Sequence, residues 1–267
     1  MQAGGGGAWG GPARLGLRVL SGGWWLGHHA RRALYRLGLR RSRSLPVPVI
    51  SVGNLAVGGT GKTPIVAWLA AGLVRRGHRP GILSRGYGPP AADGALSDEG
   101  AVLRRALGDD VPQVEDPDRH AGGLRLLADH PDVDVLLLDD GFQHWQLARD
   151  LDVVLLDATR PFGHGHLLPR GLLREPPSGL ARTGVVVATR AERVGDEALA
   201  ALRTRVGELT PAAFAVAYGR PLGVEVEGTV HPPGWLQGRR IFAVCGIGNP
   251  DAFVAHLRGG VAEHHAT

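Results

Sequence analysis

The stretch that decides the fold is SVGNLAVGGTGKTPIVAWLAAGLVRRG, residues 51–77. It begins at the end of a short apolar run, typical of a buried strand, and closes with a helix-length segment that stops at Gly77. Residues 56–63 lie between them and resemble the phosphate-binding pattern G-x-x-x-x-G-K-[ST]. Backbone N–H groups of such a loop converge on phosphate oxygens at a helix N-terminus. We therefore predict a nucleotide phosphate site at Ala56, Val57, Gly58, Gly59, Thr60, Gly61, Lys62 and Thr63.

Lys62 is the only lysine in the chain, and every other residue among the 30 lysines and arginines is an arginine. A loop that wraps a phosphate chain has space for one compact ammonium, whereas the planar guanidinium of arginine is bulkier and favours bidentate contacts. This indicates that Lys62 is retained to bind phosphate and that the Thr63 hydroxyl binds Mg²⁺. The alternative is a glycine-rich turn that carries a lysine by chance.

The segments after residue 46 alternate between continuous apolar runs and helix-length segments. The runs VDVLLLDD, LDVVLLDA and GVVVATR are typical of parallel strands that are covered on both faces. The alternation predicts a doubly wound, mostly parallel α/β phosphate-loop domain over residues 46–220, with helices on both faces. Residues 221–267 then read as a linker and the start of an incomplete second small α/β domain, because RRIFAVCGIGNPDAFVAHLRGG predicts one more strand–turn–helix unit.

Two aspartates follow the run VDVLLL. Asp139 and Asp140 would lie at the carboxyl end of a strand, the edge at which open α/β sheets bind ligands. Carboxylates there can hold Mg²⁺ opposite a phosphate loop, so we predict metal-binding and catalytic roles for both. Gly141 permits a sharp turn that could direct Gln143 and His144 toward the same cleft. An acidic pair that caps the next turn is the structural alternative.

Other polar residues are weaker candidates. Asp98 and Glu99 could be capping acids at a helix start, or one of them could accept a proton in the cleft. Arg85 and Arg119 follow predicted strands at the ligand edge, where surface positions are the commoner outcome. A turn-rich segment that contains Arg174 is interpreted as a substrate-lining loop.

The N-terminal 45 residues combine a glycine-rich tail, expected to be flexible, with a basic segment that contains tryptophan and leucine. HHARRALYRLGLRR predicts a short amphipathic helix, which could either lie on an anionic membrane or dock on the core. No apolar run reaches the length of a transmembrane helix, and the start lacks the features of a secretory signal. With Cys245 as the one cysteine, an internal disulfide is excluded. The net charge of +5 is modest, and we expect neither a nucleic-acid nor a protein partner.

Five segments of the chain form a recognisable series: LPVPVISVGNLAVGGTGKTP, GILSRGYG, DDGFQHWQLARDLDVVLLDA, GHLLPRGLLREP and CGIGNPDAF. Together they resemble the tetraacyldisaccharide 4'-kinase family, in which they occur in the same order.

The resemblance implies ATP- and Mg²⁺-dependent phosphorylation of the 4'-hydroxyl of a tetraacylated glucosamine disaccharide 1-phosphate in lipid A biosynthesis. It also implies a peripheral protein on the cytoplasmic face of the inner membrane, and it favours the membrane interpretation of the basic segment. A catalytic aspartate of the family matches Asp98, although Ser97 replaces the usual glycine before it. Arg119 and Arg174 would bind the anionic phosphate of the acceptor, with Arg85, Gln143 and His144 as further substrate residues.

The chain departs from the family pattern after GIGNP. The family continues with a D-H-H-like motif, whose histidine partners the catalytic aspartate, and neither this motif nor a later T-x-K-D-like stretch is present. His264 and His265 follow too closely and lack the aspartate, so the histidine role is not assigned. Two alternatives therefore stay open: a phosphate-loop ATPase or GTPase switch, and a catalytically impaired nucleotide-binding homologue.

Overall fold

A parallel sheet organises the computed structural model, which describes residues 10–86, 96–220 and 222–245 together with Phe253, Val254 and Leu257. Its strands in the described chain are β1 (Val49–Asn54), β2 (Pro80–Ser84), β3 (Gln113–Glu115), β4 (Val135–Asp139), β5 (Leu151–Asp157), β6 (Val185–Thr189) and β7 (Ala213–Val216). They pair in parallel in the order β3-β2-β4-β1-β5-β6-β7. This confirms the predicted α/β phosphate-loop fold with its mostly parallel sheet.

Helices cover both faces of the sheet because successive strand residues point to opposite sides. The helices of the described chain are α1 (Gly10–Arg36), α2 (Lys62–Val74), α3 (Asp98–Leu107), α4 (Arg119–Asp129) and α5 (Asp196–Gly207). In β5, Val153 and Leu155 pack in the cluster that contains Val66 of α2 and Leu103 of α3. The intervening Val154 and Leu156 pack on the other face with α5, and β4 packs there against α4.

The N-terminal helix α1 is longer than the sequence indicated, because it begins at Gly10 and not near residue 28. Its length follows from tertiary contacts, since isolated helices that contain several glycines are marginal. The Ser21 hydroxyl donates to the Leu167 carbonyl at 3.0 Å, and the Trp24 indole N–H donates to the Arg174 carbonyl at 2.8 Å. Of the expected flexible tail at residues 1–11, residues 1–9 lie outside the described residues, whereas Gly10 and Gly11 belong to α1. None of the described helices is both long enough and apolar enough to cross a membrane.

The segment after the sheet forms an antiparallel hairpin of β8 (Val224–Val226) and β9 (Thr229–His231). The strand expected within residues 240–245 does not form, and that prediction is wrong. Ile241, Phe242 and Val244 stay exposed there, because in the described chain no neighbouring strand offers them backbone partners. The expected turn at residues 246–252 lies outside the described residues, whereas Phe253, Val254 and Leu257 are helical.

Candidate active site

The loop between β1 and α2 has the backbone of a phosphate-binding turn. Gly58 (φ 116°) and Gly61 (φ 81°) are in the left-handed region, which side-chain-bearing residues avoid. Gly61 is the N-cap of α2 and offers no side-chain acceptor, so the first N–H groups of the helix lack a capping partner of that kind. Such groups, with the positive end of the helix dipole, attract an anion.

Ala56 occupies the first position of the motif, and the backbone conformation there does not require glycine. It forms an antiparallel bridge with Leu173, and the neighbouring Val57 N–H donates to the Leu172 carbonyl at 2.7 Å. The backbone there is therefore extended, a conformation that needs no glycine.

Two buried contacts fix the far side of the loop at Thr60. The Asn54 amide donates to the Thr60 hydroxyl at 2.9 Å, and the Thr189 hydroxyl at the end of β6 donates to the Thr60 carbonyl at 2.9 Å. The loop is thus attached to the carboxyl ends of β1 and β6.

Asp139 and Asp140 occupy the end of β4, beside β1. Asp139 is the last strand residue and is 3% exposed. Asp140 is left-handed (φ 51°), and its N–H donates to the Asp139 carboxylate at 2.8 Å. Gly141 is required next, since a Cβ there would lie 2.6 Å from Leu138 and 2.7 Å from the Ser51 hydroxyl. The turn therefore brings both carboxylates to the mouth of the phosphate loop.

Asp140 lies between two cations. The Lys62 ammonium is 3.5 Å from its carboxylate, and Nη1 of Arg174 is 2.9 Å and 2.8 Å from the two carboxylate oxygens. Burial alone would raise the pKa of Asp140, but Lys62 and Arg174 together outweigh it and lower the pKa. Asp140 is therefore ionised at neutral pH, and the three groups form one charged cluster.

The pKa of Asp139 is raised to about 6, mainly by burial. The Lys62 ammonium opposes the rise, whereas the charges of Asp140 and Glu99 contribute to it. A buried carboxylate without a full counter-charge has the character of a cation ligand.

The residues present fit Mg²⁺. This ion takes one or two carboxylates and completes its shell with water and substrate phosphates. The two aspartates and the Thr63 hydroxyl, in the first turn of α2, are hard oxygen donors of this kind. Within the described residues no group of three His, Cys, Asp or Glu side chains gathers as a metal site.

Asp98 and Glu99 lie in the first turn of α3 and are exposed. Neither caps the helix: the Ser97 hydroxyl accepts the Gly100 N–H at 3.2 Å, and Glu115 holds Ser97. The capping role that the sequence left open for Asp98 and Glu99 is therefore filled by Ser97. The role of Asp98 as the catalytic base stays a prediction.

The predicted substrate residues lie in different surroundings. Arg85 is exposed directly after β2. Arg119 is buried at the start of α4 and donates to the carbonyls of Asp116 and Pro117. Both lie at the carboxyl side of the sheet, and their contacts with an acceptor stay a prediction.

His144 and Gln143 belong to the turn that follows the aspartates. The pKa of His144 is lowered to about 4, mainly by burial and in addition by the charges of Arg119 and Arg149. His144 is therefore neutral at pH 7. The Gln143 amide donates to the Asn54 carbonyl and to Glu175 at 2.8 Å and 2.7 Å. Gln143 thus ties the turn to β1.

Sequence reasoning placed Glu175 only within a substrate-lining loop and gave Arg182 no role. Glu175 is fully buried and pairs with Arg182 at 2.8 Å. One sequence contains no signal for this pair, because both residues look like ordinary loop charges until the fold encloses them.

Comparison with known proteins places the chain in a family. The family described as "LpxK: Tetraacyldisaccharide-1-P 4'-kinase" matches residues 13–267. The chain belongs to the tetraacyldisaccharide 4'-kinase family. The kinase of Anaeromyxobacter dehalogenans is 43% identical over 248 residues, which are 87% of this chain and 65% of that protein. The kinase of Chromobacterium violaceum is 39% identical over 255 residues, 89% of this chain and 72% of that protein.

A solved member of the family has the same fold. The "apo" form of LpxK from Aquifex aeolicus, crystallised in complex with ATP, matches with a TM-score of 0.70 and 31% identity. The match covers 92% of this chain and 78% of that one. The chain thus spans about two thirds of the length of its family relatives, 65% in the case of A. dehalogenans. The sequence-based resemblance is confirmed.

Asp139→Asn is expected to stabilise the fold at neutral pH. The pKa of Asp139 is about 6 in the folded state against 3.8 ordinarily, so its charge costs up to about 3 kcal/mol of stability above pH 6. Asn keeps the acceptor for the Asp140 N–H and removes the charge. We expect a rise in Tm of several degrees at pH 7.5, measured by calorimetry.

The pH dependence of this gain tests its cause. Below about pH 3 Asp139 is protonated in the folded and unfolded states alike, so the gain should be small at pH 4 and shrink to nearly zero by about pH 3. Asp109→Asn, at a side chain that is 89% exposed, is the matched control and should leave Tm nearly unchanged at pH 7.5. An equal gain at pH 4 and pH 7.5, or a loss at pH 7.5, would contradict the assigned charge cost.

Proposed function

We propose that this chain is an ATP-dependent kinase that phosphorylates the 4'-hydroxyl of a tetraacylated glucosamine disaccharide 1-phosphate. The observation that carries the proposal is the Lys62 ammonium 3.5 Å from Asp140 at the mouth of a glycine-rich loop. Family membership supplies the acceptor, and the relative from A. aeolicus, crystallised with ATP, supports the donor. The activity remains a proposal because the chain spans only part of the length of its relatives.

The nucleotide would be held by the phosphate loop, residues 56–63. The N–H groups at the start of α2 would bind phosphate oxygens, and the Lys62 ammonium would bridge the β- and γ-phosphates. Thr63, Asp139 and Asp140 would hold Mg²⁺, which, when bound, neutralises the charge that develops on the transferred phosphoryl group. Phosphoryl transfer depends mainly on such positioning and charge stabilisation.

The acceptor would approach from the side of α3. Asp98 is exposed in the first turn of this helix and would orient or deprotonate the 4'-hydroxyl. Arg174 contacts Asp140 through Nη1, and a guanidinium has five N–H donors, so this contact is compatible with a second anion such as the acceptor phosphate. Arg119 and Arg85 would add positive charge, while Gln143 and neutral His144 would shape the pocket by hydrogen bonding.

The helix α1 would bring the enzyme to its lipid acceptor. Leu15, Val19 and Leu26 are spaced as i, i+4 and i+11, hence they form one stripe, and all three are mostly exposed. Ser21 and Trp24 point to the opposite side, where they contact the core. Arg14, Arg18 and Arg36 also lie on this helix. A basic helix with an exposed apolar stripe suits peripheral binding to the anionic cytoplasmic face of the inner membrane.

The domain organisation is part of the same proposal. Residues 46–220 would form the kinase core, residues 1–45 the membrane-proximal segment, and residues 221–267 a linker and the start of a C-terminal domain.

Lys62→Ala is expected to lower phosphoryl transfer at least about 100-fold, because the β- and γ-phosphates lose their cation. Lys62→Arg should also be strongly impaired, since the loop has space for an ammonium and not for a planar fork. The assay follows labelled γ-phosphate from ATP to the disaccharide lipid. Arg205→Ala, at a surface pair on α5, is the control and should keep wild-type rates.

The fate of the label also separates the alternatives. Release of free phosphate without lipid labelling would indicate an ATPase switch, and nucleotide binding without either product would indicate an impaired homologue. Wild-type rates of lipid labelling by Lys62→Ala would overturn the role of this lysine.

Leu15→Glu combined with Leu26→Glu is expected to lower binding to vesicles of anionic phospholipid at least about 10-fold, because two carboxylates replace apolar contacts. Co-sedimentation measures the bound fraction. Leu222→Glu, at a residue 92% exposed outside α1, is the matched control and should bind like the wild type. Equal loss in the control, or none in the double variant, would rule out the stripe as the membrane contact.

A further inference from the structure

A buried ion pair, formed by Glu175 and Arg182, contacts the turn that follows the two aspartates. Glu175 is fully buried, and its two carboxylate oxygens accept from Nη1 and Nη2 of Arg182 at 2.8 Å and 2.9 Å. This is the bidentate geometry that gives the strongest and most directional charge-assisted hydrogen bonds. Such a pair adds little net stability, because burial of both charges costs about as much as their attraction returns. What the pair does supply is a fixed position for the guanidinium.

Arg182 uses this position to hold the turn after Asp140. Its Nη2 donates to the Phe142 carbonyl at 3.0 Å, and its guanidinium carbon lies 3.6 Å from the centre of the Phe142 ring. The same guanidinium carbon lies 4.5 Å from the centre of the Trp145 ring. Hydrogen bonding and cation–π contact therefore both fix the backbone two residues beyond Asp140.

The same network reaches the phosphate loop. Oε1 of Glu175 also accepts from the Gln143 amide, which donates in addition to the carbonyl of Asn54, the last residue of β1. The preceding residue in the chain, Arg174, contacts Asp140. Glu175 is thus linked through Gln143 to the end of β1 and to the aspartate turn, and through the adjacent Arg174 to Asp140.

The turn needs such support because it is conformationally costly. Asp140 is a left-handed residue that is not glycine, with φ 51°, and it carries a partly buried charge. A conformation of this kind persists only where the surroundings enforce it. Arg182 contacts Phe142, the first residue after Gly141. Its contacts therefore restrain the backbone close to the strained residue Asp140.

We propose that Arg182 is a positioning residue that sets the Asp139–Asp140 turn for binding of Mg²⁺ together with the nucleotide phosphates. The inference deepens the proposed function and rests on it for the identity of the nucleotide. Arg182 acts through Phe142 and Glu175 and does not contact substrate. Its loss should therefore weaken the metal-dependent part of nucleotide binding and leave the contribution of the phosphate loop in place.

The test compares Arg182→Lys and Arg182→Met with the wild type by calorimetric titration of a non-hydrolysable ATP analogue, with Mg²⁺ and with EDTA. Lysine keeps the charge and loses the bidentate and stacking geometry. We expect the affinity in EDTA to change less than about 3-fold and the gain in affinity from Mg²⁺ to fall about 10-fold or more, as for other residues that orient metal ligands. Arg205→Met, which removes an arginine paired with Glu208 on the surface, should behave as the wild type.

A folding defect is separated from the positioning effect by a neutral pair. If Arg182→Met leaves Glu175 as an uncompensated buried charge and unfolds the protein, Glu175→Gln combined with Arg182→Met removes both charges. A folded variant that keeps the full Mg²⁺-dependent gain would overturn the proposal, and so would equal losses with Mg²⁺ and with EDTA. Because these titrations need no lipid acceptor, absence of lipid phosphorylation by the wild type would refute the proposed function and leave this result standing.

Discussion

The contact between the Lys62 ammonium and the Asp140 carboxylate is the interaction on which the site depends. It joins the helix that starts at the phosphate loop to the strand that ends in two aspartates, across a distance of 3.5 Å. The parallel pairing of β1 with β4 makes this contact possible, because it brings the carboxyl ends of both strands to one edge. Positive and negative groups are then ready to receive a phosphate chain and a cation without large rearrangement.

Electrostatic cost is concentrated at this edge. The pKa of Asp139 is raised to about 6, mainly by burial; the Lys62 ammonium opposes the rise, and the carboxylates of Asp140 and Glu99 contribute to it. An arrangement of this kind is unfavourable for the empty protein and favourable once a divalent cation is bound. The buried Glu175–Arg182 pair contacts the turn that follows Asp140 and maintains its conformation. The pair adds little net stability and serves mainly to fix this geometry.

The sequence predicted the parts of this account that depend on local pattern. Continuous apolar runs identified β4, β5 and β6, and the glycine-lysine-threonine motif predicted the nucleotide site, because backbone and phosphate chemistry impose those residue types. It did not identify β7, whose four residues are mostly exposed, or the full length of α1, which depends on contacts of Ser21 and Trp24 with residues about 150 positions away. The role of Arg182 was equally invisible, since it follows from contacts with Phe142 and Glu175 that only the fold creates.

The most direct test of the central claim is a crystal structure of the chain with a non-hydrolysable ATP analogue and Mn²⁺, located by its anomalous signal. The account predicts the Lys62 ammonium within about 3 Å of a β- or γ-phosphate oxygen and the metal within about 2.5 Å of an oxygen of Asp139 or Asp140. A nucleotide bound away from the loop at residues 56–63, or a metal remote from both aspartates, would contradict it.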